Sequence, residues 1–209
     1  MNPLNPPCYI LEPEYYGFFE GKTHDIVCRI VEFPGWRDNT CLCEPWPPVR
    51  SPDGVRFDTN IELLEQTPDY PNNTAHWPLM SRRMFEVLQS VRPFACHEIP
   101  VTLVDDTIDV DIRYDARGRP LPQYSKTDYL AVQLSNQGDY LDMERSRYRV
   151  RFNTVRHIHE HVFNIPPEGF PPLFRLSVGR VDLFVSAEAR MALEQAGIRG
   201  PVYKHPNER

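Results

Sequence analysis

The last forty residues carry the clearest hydrophobic pattern in the chain. Apolar runs at 173–178 and 180–185 predict two strands. Ser186 is a typical helix N-cap, and apolar residues at 189, 192, 193 and 196 give the helix that follows one face for packing against a sheet. Gly197 is expected to end this helix, and the residues up to Tyr203 predict a terminal strand.

The middle of the chain predicts antiparallel sheet. In residues 107–113 apolar side chains alternate with charged ones, a pattern typical of a strand with one face on the core. This alternation places Asp109 and Asp111 together on the wet face, and residues 116–120 break the strand. Strands separated by polar turns, with few helices, favour the α+β class with a mostly antiparallel sheet.

The first half predicts two helices among proline-rich loops. Residues 60–65 form a short helical candidate, and Ser81 opens a better one in which Met84, Phe85, Leu88 and Val91 share a face. The 22 prolines concentrate in residues 1–13, 34–52, 68–78 and 166–172. Because proline lacks an amide donor, we expect these segments to be loops and not interior strands. We expect a single domain over 1–209, with a proline-rich part at 1–80 and an α+β core at 81–209.

Composition limits the classes of partner and compartment. The formal charge of −6 and the pI near 5.6 indicate that the chain lacks the basic stripe that binds phosphates, so nucleic acid is not expected as a direct partner. No signal peptide or long apolar segment is visible, which predicts a cytoplasmic protein without membrane insertion. Five cysteines are an odd number and favour reduced thiols.

Two clusters, one of histidines and one of cysteines, are candidate metal-binding sites. On a strand His157, His159 and His161 would share a face on which imidazoles bind zinc, whereas on a helix only the outer two would do so. The simpler interpretation is a partly exposed polar face. Cys41 and Cys43 can also bind one ion, but they need two further ligands. Nearby candidates for those ligands are Cys28, His24 and Cys8. The simpler alternative is two small side chains in a proline-rich loop.

The acidic residues and the tryptophans are candidates for partner binding. The acidic set comprises Asp105, Asp106, Asp109 and Asp111, and Asp115 lies a little further along the chain. Paired carboxylates serve as general acid and base when they face each other across a cleft, and otherwise form a solvated strand edge. The tryptophans Trp36, Trp46 and Trp77 lie in proline-rich segments, where they either pin the loops to the core or anchor an interface.

The C-terminal stretch LFRLSVGRVDLFVSAEARMALEQAGIRGPVY resembles the end of the immunity protein 11 family of bacterial polymorphic-toxin systems. Members of that family close with an "FRL", a "vSe" helix start and a "gitG" turn. A second block agrees: residues 129–134 and 139–146 are similar to the family's strand and its "lD...S" element. The resemblance spans the C-terminal two thirds, from about Ser81. It also favours a strand for the histidine segment.

The resemblance implies an immunity protein that binds and neutralises a cognate toxin effector domain and catalyses nothing. Because many toxin domains act on nucleic acids and present basic clefts, the acidic set would steer and hold such a partner. No cofactor is expected. Some relatives carry paired Cys-x-x-Cys-Gly motifs, and Cys41-Leu42-Cys43 departs from them. The alternative is a zinc-binding enzyme or metal-stabilised module that uses the histidines or these cysteines.

Overall fold

The computed structural model describes residues 6–14, 28–31, 54–65, 68–135, 137–152, 154–179 and 182–208. These residues form a single α+β domain, as the sequence predicts, and its strands form three separate sheets where one sheet was expected. The strands are β1 (Cys8–Pro13), β2 (Arg29–Ile30), β3 (Val55–Thr59), β4 (Leu79–Ser81), β5 (Cys96–Asp105), β6 (Ser125–Leu134), β7 (Arg147–Arg151), β8 (Thr154–Glu160), β9 (Leu173–Phe174), β10 (Phe184–Ser186) and β11 (Pro201–Lys204). The helices are α1 (Ile61–Leu64), α2 (Arg82–Val91), α3 (Val110–Arg113) and α4 (Ala187–Gln195), with a 3-10 turn at Pro122–Tyr124.

The first sheet is antiparallel, with strand order β11-β1-β10-β9. The expectation that residues 1–13 lie outside sheet interiors is wrong, because β1 runs between β10 and β11. Pro13 lies at the last paired position, opposite Pro201, and the other prolines precede the strand, so the ladder keeps its amide donors. A strand from residues 1–80 therefore shares one sheet with strands from residues 81–209.

The second sheet has the order β2-β3-β5-β6-β4. Its strands pair antiparallel except β3 and β5, which run parallel from Val55 opposite Val101 to Thr59 opposite Asp105. Parallel strands end at the same edge of a sheet. The carboxylates of Asp58 and Asp105 therefore lie close to the loop that follows β5.

The predicted helices at Asn60, Ser81 and Ser186 are confirmed, and each of these residues caps its helix. The Ser81 hydroxyl accepts the Met84 amide at 3.1 Å, and the Ser186 hydroxyl accepts the Ala189 amide at 3.1 Å. Their apolar faces, with Met84, Leu88, Ala189 and Leu193 fully buried, pack into one core with side chains from β1 and β6.

The predicted strand at 107–113 is wrong. Strand β5 ends at Asp105, a turn follows, and Val110–Arg113 forms one turn of helix with Asp109 as its N-cap. Asp side chains that accept nearby backbone amides compete with the sheet ladder, and here they end it. Val110 and Ile112 are consequently exposed instead of buried.

The third sheet is the antiparallel pair β7-β8, and it packs on a core rich in phenylalanine. Ile158 of β8 is buried there, and Tyr148 of β7 packs partly against it. In this core the rings of Phe170, Phe174 and Phe184 stack in sequence at 4.9 and 5.3 Å. The base of the β7-β8 hairpin is thus held by apolar burial. In the described part of the chain, no helix is long and apolar enough to cross a membrane.

Candidate functional site

The loop after β5 carries most of the acidic residues that the sequence singles out. We call residues 105–115 the acidic loop. The Asp105 carboxylate accepts the amide and the hydroxyl of Thr107 at 3.1 and 2.8 Å, which turns the chain away from the sheet. The Asp109 carboxylate accepts the Asp111 amide at 3.0 Å and starts α3. Two of the four predicted partner-binding carboxylates therefore also shape the loop itself.

Arg113 anchors the acidic loop to the sheet. Its guanidinium donates to the Asp105 carbonyl at 2.9 Å and lies 3.7 Å from the Asp58 carboxylate, which is at the end of the parallel strand β3. The Tyr114 ring lies against two cations, with the Arg56 and Arg113 guanidinium carbons 5.3 and 5.5 Å from its centroid. These contacts hold α3 in one position at the end of the second sheet.

Asp115 belongs to the turn that closes the acidic loop. It accepts the amides of Arg117 and Arg119 at 2.9 Å each and forms an ion pair with the Arg119 side chain at 2.8 Å. The backbone hydrogen bond from Arg119, together with the side-chain contacts of the same residue, holds the pKa of the Asp115 carboxyl below its ordinary value. Asp115 is therefore ionised and structural.

The acidic loop exposes both apolar and acidic side chains. Val110 is 56% exposed and Ile112 is 55% exposed, although both are large aliphatic residues. Asp106 and Asp111 are also exposed, and the Asp106 carboxylate lies 3.9 Å from the Arg29 guanidinium. Residues two apart in a turn of helix do not share a face, so Val110 and Ile112 are two separate exposed aliphatic side chains on either side of Asp111 in the sequence. An anchored loop that exposes apolar side chains and carboxylates together suits the binding of a basic protein.

Trp77 is not an interface anchor. Its side chain is only 3% exposed and meets the Phe57 ring edge-on, with the two ring centroids 6.1 Å apart. Both residues belong to the same buried core. The alternative that tryptophans pin proline-rich segments to the core is confirmed at this position. Trp36 and Trp46 lie outside the described residues, so the prediction for Trp46 stays a prediction.

The histidine segment is a strand, but it does not present three histidines together. His157 and His159 are exposed on β8 with ring centroids 4.5 Å apart. His161 lies beyond the strand, buried, with its ring stacked on Phe163 at 5.6 Å. The expectation of a shared face for all three is wrong because the chain leaves the sheet at His161, where its amide donates to the Asn207 side chain at 2.7 Å.

The other metal candidates are separated or lie outside the described residues. Cys8 and Cys28 are buried free thiols in different cores, and Cys96 is a half-buried free thiol. Cys41, Cys43 and His24 lie outside the described residues. Where the structure describes the chain, no group of three or more His, Cys, Asp or Glu side chains has the geometry of a metal site.

The β7-β8 hairpin presents a basic surface that the sequence reasoning missed. Arg147, Arg149 and Arg151 alternate along β7 and are exposed, and His157 lies directly opposite Arg149. We call residues 147–160 the arginine hairpin. The statement that the chain lacks a basic stripe is wrong here, because a net charge averages over the whole chain. The signal was the spacing of arginine at every second position, which puts all three on one face of a strand.

The chain matches no model of a known protein family, and no curated protein matches it. The resemblance to the immunity protein 11 family therefore rests on the motifs of the sequence alone. The geometry supplies a fold and two anchored surfaces, the acidic loop and the arginine hairpin.

Proposed function

We propose that this protein is an immunity protein that binds a cognate toxin effector domain and neutralises it without catalysis. The motifs between 173 and 203 support the class of function. The acidic loop supports the mode of binding, and one observation carries it: two aliphatic side chains, Val110 and Ile112, stand exposed among carboxylates on an anchored loop.

The acidic loop suits a toxin domain with a basic active-site cleft. Carboxylates on an exposed surface raise the association rate of a cationic partner, and this effect weakens as salt screens the charges. Burial of Val110 and Ile112 would then slow dissociation, since apolar area removed from water contributes about 25 cal/mol per Å². The Arg113 anchor keeps the loop in place beforehand, so that little ordering entropy is lost on binding.

A co-expression survival assay tests this proposal. We expect a toxin gene beside the gene for this chain. Cells that produce that toxin domain should survive with the wild-type protein and die with the Val110→Ser, Ile112→Ser double variant. The matched control is Met191→Ser on α4, because Met191 is also 55% exposed and lies outside the acidic loop. Full protection by the double variant would exclude the acidic loop as the binding surface, and toxicity in cells with the wild-type protein would contradict the function.

A further inference from the structure

The tip of the arginine hairpin carries positive charge without matching carboxylates. Strand residues two apart are separated by about 6.7 Å, so Arg149 and Arg151 repeat along one face at that interval. Within the described part of the chain, no carboxylate forms an ion pair with either guanidinium. The one acidic residue paired across the ladder, Glu160, lies opposite Arg147 at the base.

An aromatic ring stands beside these cations. Phe152 is 80% exposed at the end of β7, with a φ of 53°, a left-handed conformation that is uncommon for a bulky residue. The Arg151 guanidinium carbon lies 5.1 Å from the ring centroid. Arg151 and Thr154 are paired across the ladder, and hairpin loops this short take a positive φ at their first position. The φ of Phe152 therefore belongs to the turn, which places the ring at the exposed tip of the hairpin.

The cations and the ring line one concavity. It has a volume of about 340 Å³, and its walls are Arg149, Arg151, Phe152 and His157. This combination matches the two parts of a nucleotide, since guanidinium groups bind phosphate oxygens in a fork and a ring stacks on a base. Ile158 is buried at the base of the hairpin, so the hairpin that forms this concavity is attached to the core.

We propose that the arginine hairpin binds single-stranded nucleic acid. Arg149 and Arg151 contact successive phosphates, His157 borders the same path, and Phe152 stacks on one base. A single strand is favoured over a duplex because stacking on Phe152 needs a base that is not already stacked between its neighbours. An acidic protein would also be attracted to the cations, but only a single strand presents a base at every step on which the ring can stack.

Fluorescence anisotropy with labelled ten-nucleotide strands of deoxythymidine and of uridine, at 50 and 200 mM salt, tests the proposal. The 209-residue chain should bind at least one of the two strands, more weakly at high salt than at low salt and more tightly than it binds a duplex of equal length. The Arg149→Gln, Arg151→Gln variant should reduce the slope of log affinity against log salt by about 1.4, because each phosphate contact on a single strand contributes about 0.7. Phe152→Ala should weaken binding about 5- to 150-fold.

The matched control is Arg82→Gln with Arg117→Gln, two exposed arginines outside the hairpin that remove the same charge. This control should retain most of the affinity. Equal losses in the control and the hairpin variants would overturn the proposal, as would the absence of binding at 50 mM salt. Tighter binding of poly-glutamate than of either strand would assign the hairpin to an acidic protein instead. No toxin is present, so the outcome is independent of the proposed function.

Discussion

Replacing Ser81 with alanine should destabilise the protein more than the equivalent change at the other serine cap. The Ser81 hydroxyl accepts the Met84 amide and also donates to the buried Asp69 carboxylate at 2.7 Å. The second Asp69 oxygen accepts the Arg199 amide at 2.9 Å. Ser81 therefore joins the start of α2 to the turn before β11 through one carboxylate.

The expected cost has two parts. Loss of an N-cap costs about 1 kcal/mol, and the Asp69 oxygen left without its donor in a buried position costs about 1–3 kcal/mol more. The sum is about 2–4 kcal/mol in the free energy of unfolding, or a fall in Tm of roughly 4–16 °C at about 2–4 °C per kcal/mol for a chain of this size. Ser186→Ala removes an N-cap hydrogen bond of the same length, 3.1 Å, and should lower the free energy of unfolding by only about 1 kcal/mol.

Urea denaturation of the wild type and both variants measures the difference. Ser81→Ala should exceed Ser186→Ala by about 1–3 kcal/mol, the contribution of the bond to Asp69. A double-mutant cycle with Asp69→Asn should show coupling between positions 69 and 81, because the two changes act on the same bond. Equal losses at the two caps, or additive effects in the cycle, would exclude a stabilising hydrogen bond between Ser81 and Asp69.

Three further predictions concern stability. Trp77→Ala should cost about 3–5 kcal/mol in urea denaturation, since it empties the space against Phe57, and a loss below 1 kcal/mol would contradict its burial. Gly197→Ala should cost about 1 kcal/mol, because φ is 65° there while a Cβ would meet nothing closer than 3.8 Å; unchanged stability would contradict that conformation. Burial raises the pKa of the Cys28 thiol from 9.0 to about 12. Between these two values the unfolded chain loses the thiol proton while the folded chain keeps it, so the free energy of unfolding should fall as the pH rises through this range. Cys28→Ala should show a shallower fall in a pH series, and an identical profile would exclude this cause.

The bounds of α4 were predictable because the residues that start and end this helix are close together in the sequence. Ser186 caps α4, and the helix ends as expected at Gly197, where the Ile198 amide donates to the Leu193 carbonyl at 3.0 Å. Both contacts involve residues a few positions apart. A pattern read along the chain can therefore identify them without knowledge of the rest of the fold.

Strand β1 and helix α3 were not predictable in the same way. The six residues of β1 gain their place from β10 and β11, about 175 or more positions further along the chain, and the neighbouring prolines hide the pattern. At 107–113 the alternation fits a strand, but Asp105 and Asp109 accept local amides and turn the chain first. Because β5 ends at Asp105, Val110 and Ile112 lie in a turn of helix outside the sheet, where they are exposed to water.

For the candidate surfaces too, the sequence indicated the residue types, whereas their exposure depended on the fold. The residue types of the acidic set were visible in the sequence, whereas the exposure of Val110 and Ile112 depended on the loop being a helix turn and not a strand. Trp77 could not be assigned to core or interface from its proline-rich neighbours. The arginine hairpin was visible as an alternation, but a chain-wide charge of −6 concealed it.

If this protein neutralises a toxin domain by binding it through the acidic loop, we expect a toxin gene in the reading frame beside its own. Titration of the purified toxin domain with the purified chain, while the activity of the toxin is followed, tests the interaction. One equivalent of the wild-type chain should abolish the activity. The Asp111→Lys variant changes an exposed side chain with no hydrogen bond or ion pair among the described residues, and it should require a higher concentration, most clearly at low salt. Toxin activity that persists with excess wild-type chain would exclude neutralisation, and identical titrations for both proteins at every salt concentration would exclude steering by the acidic loop.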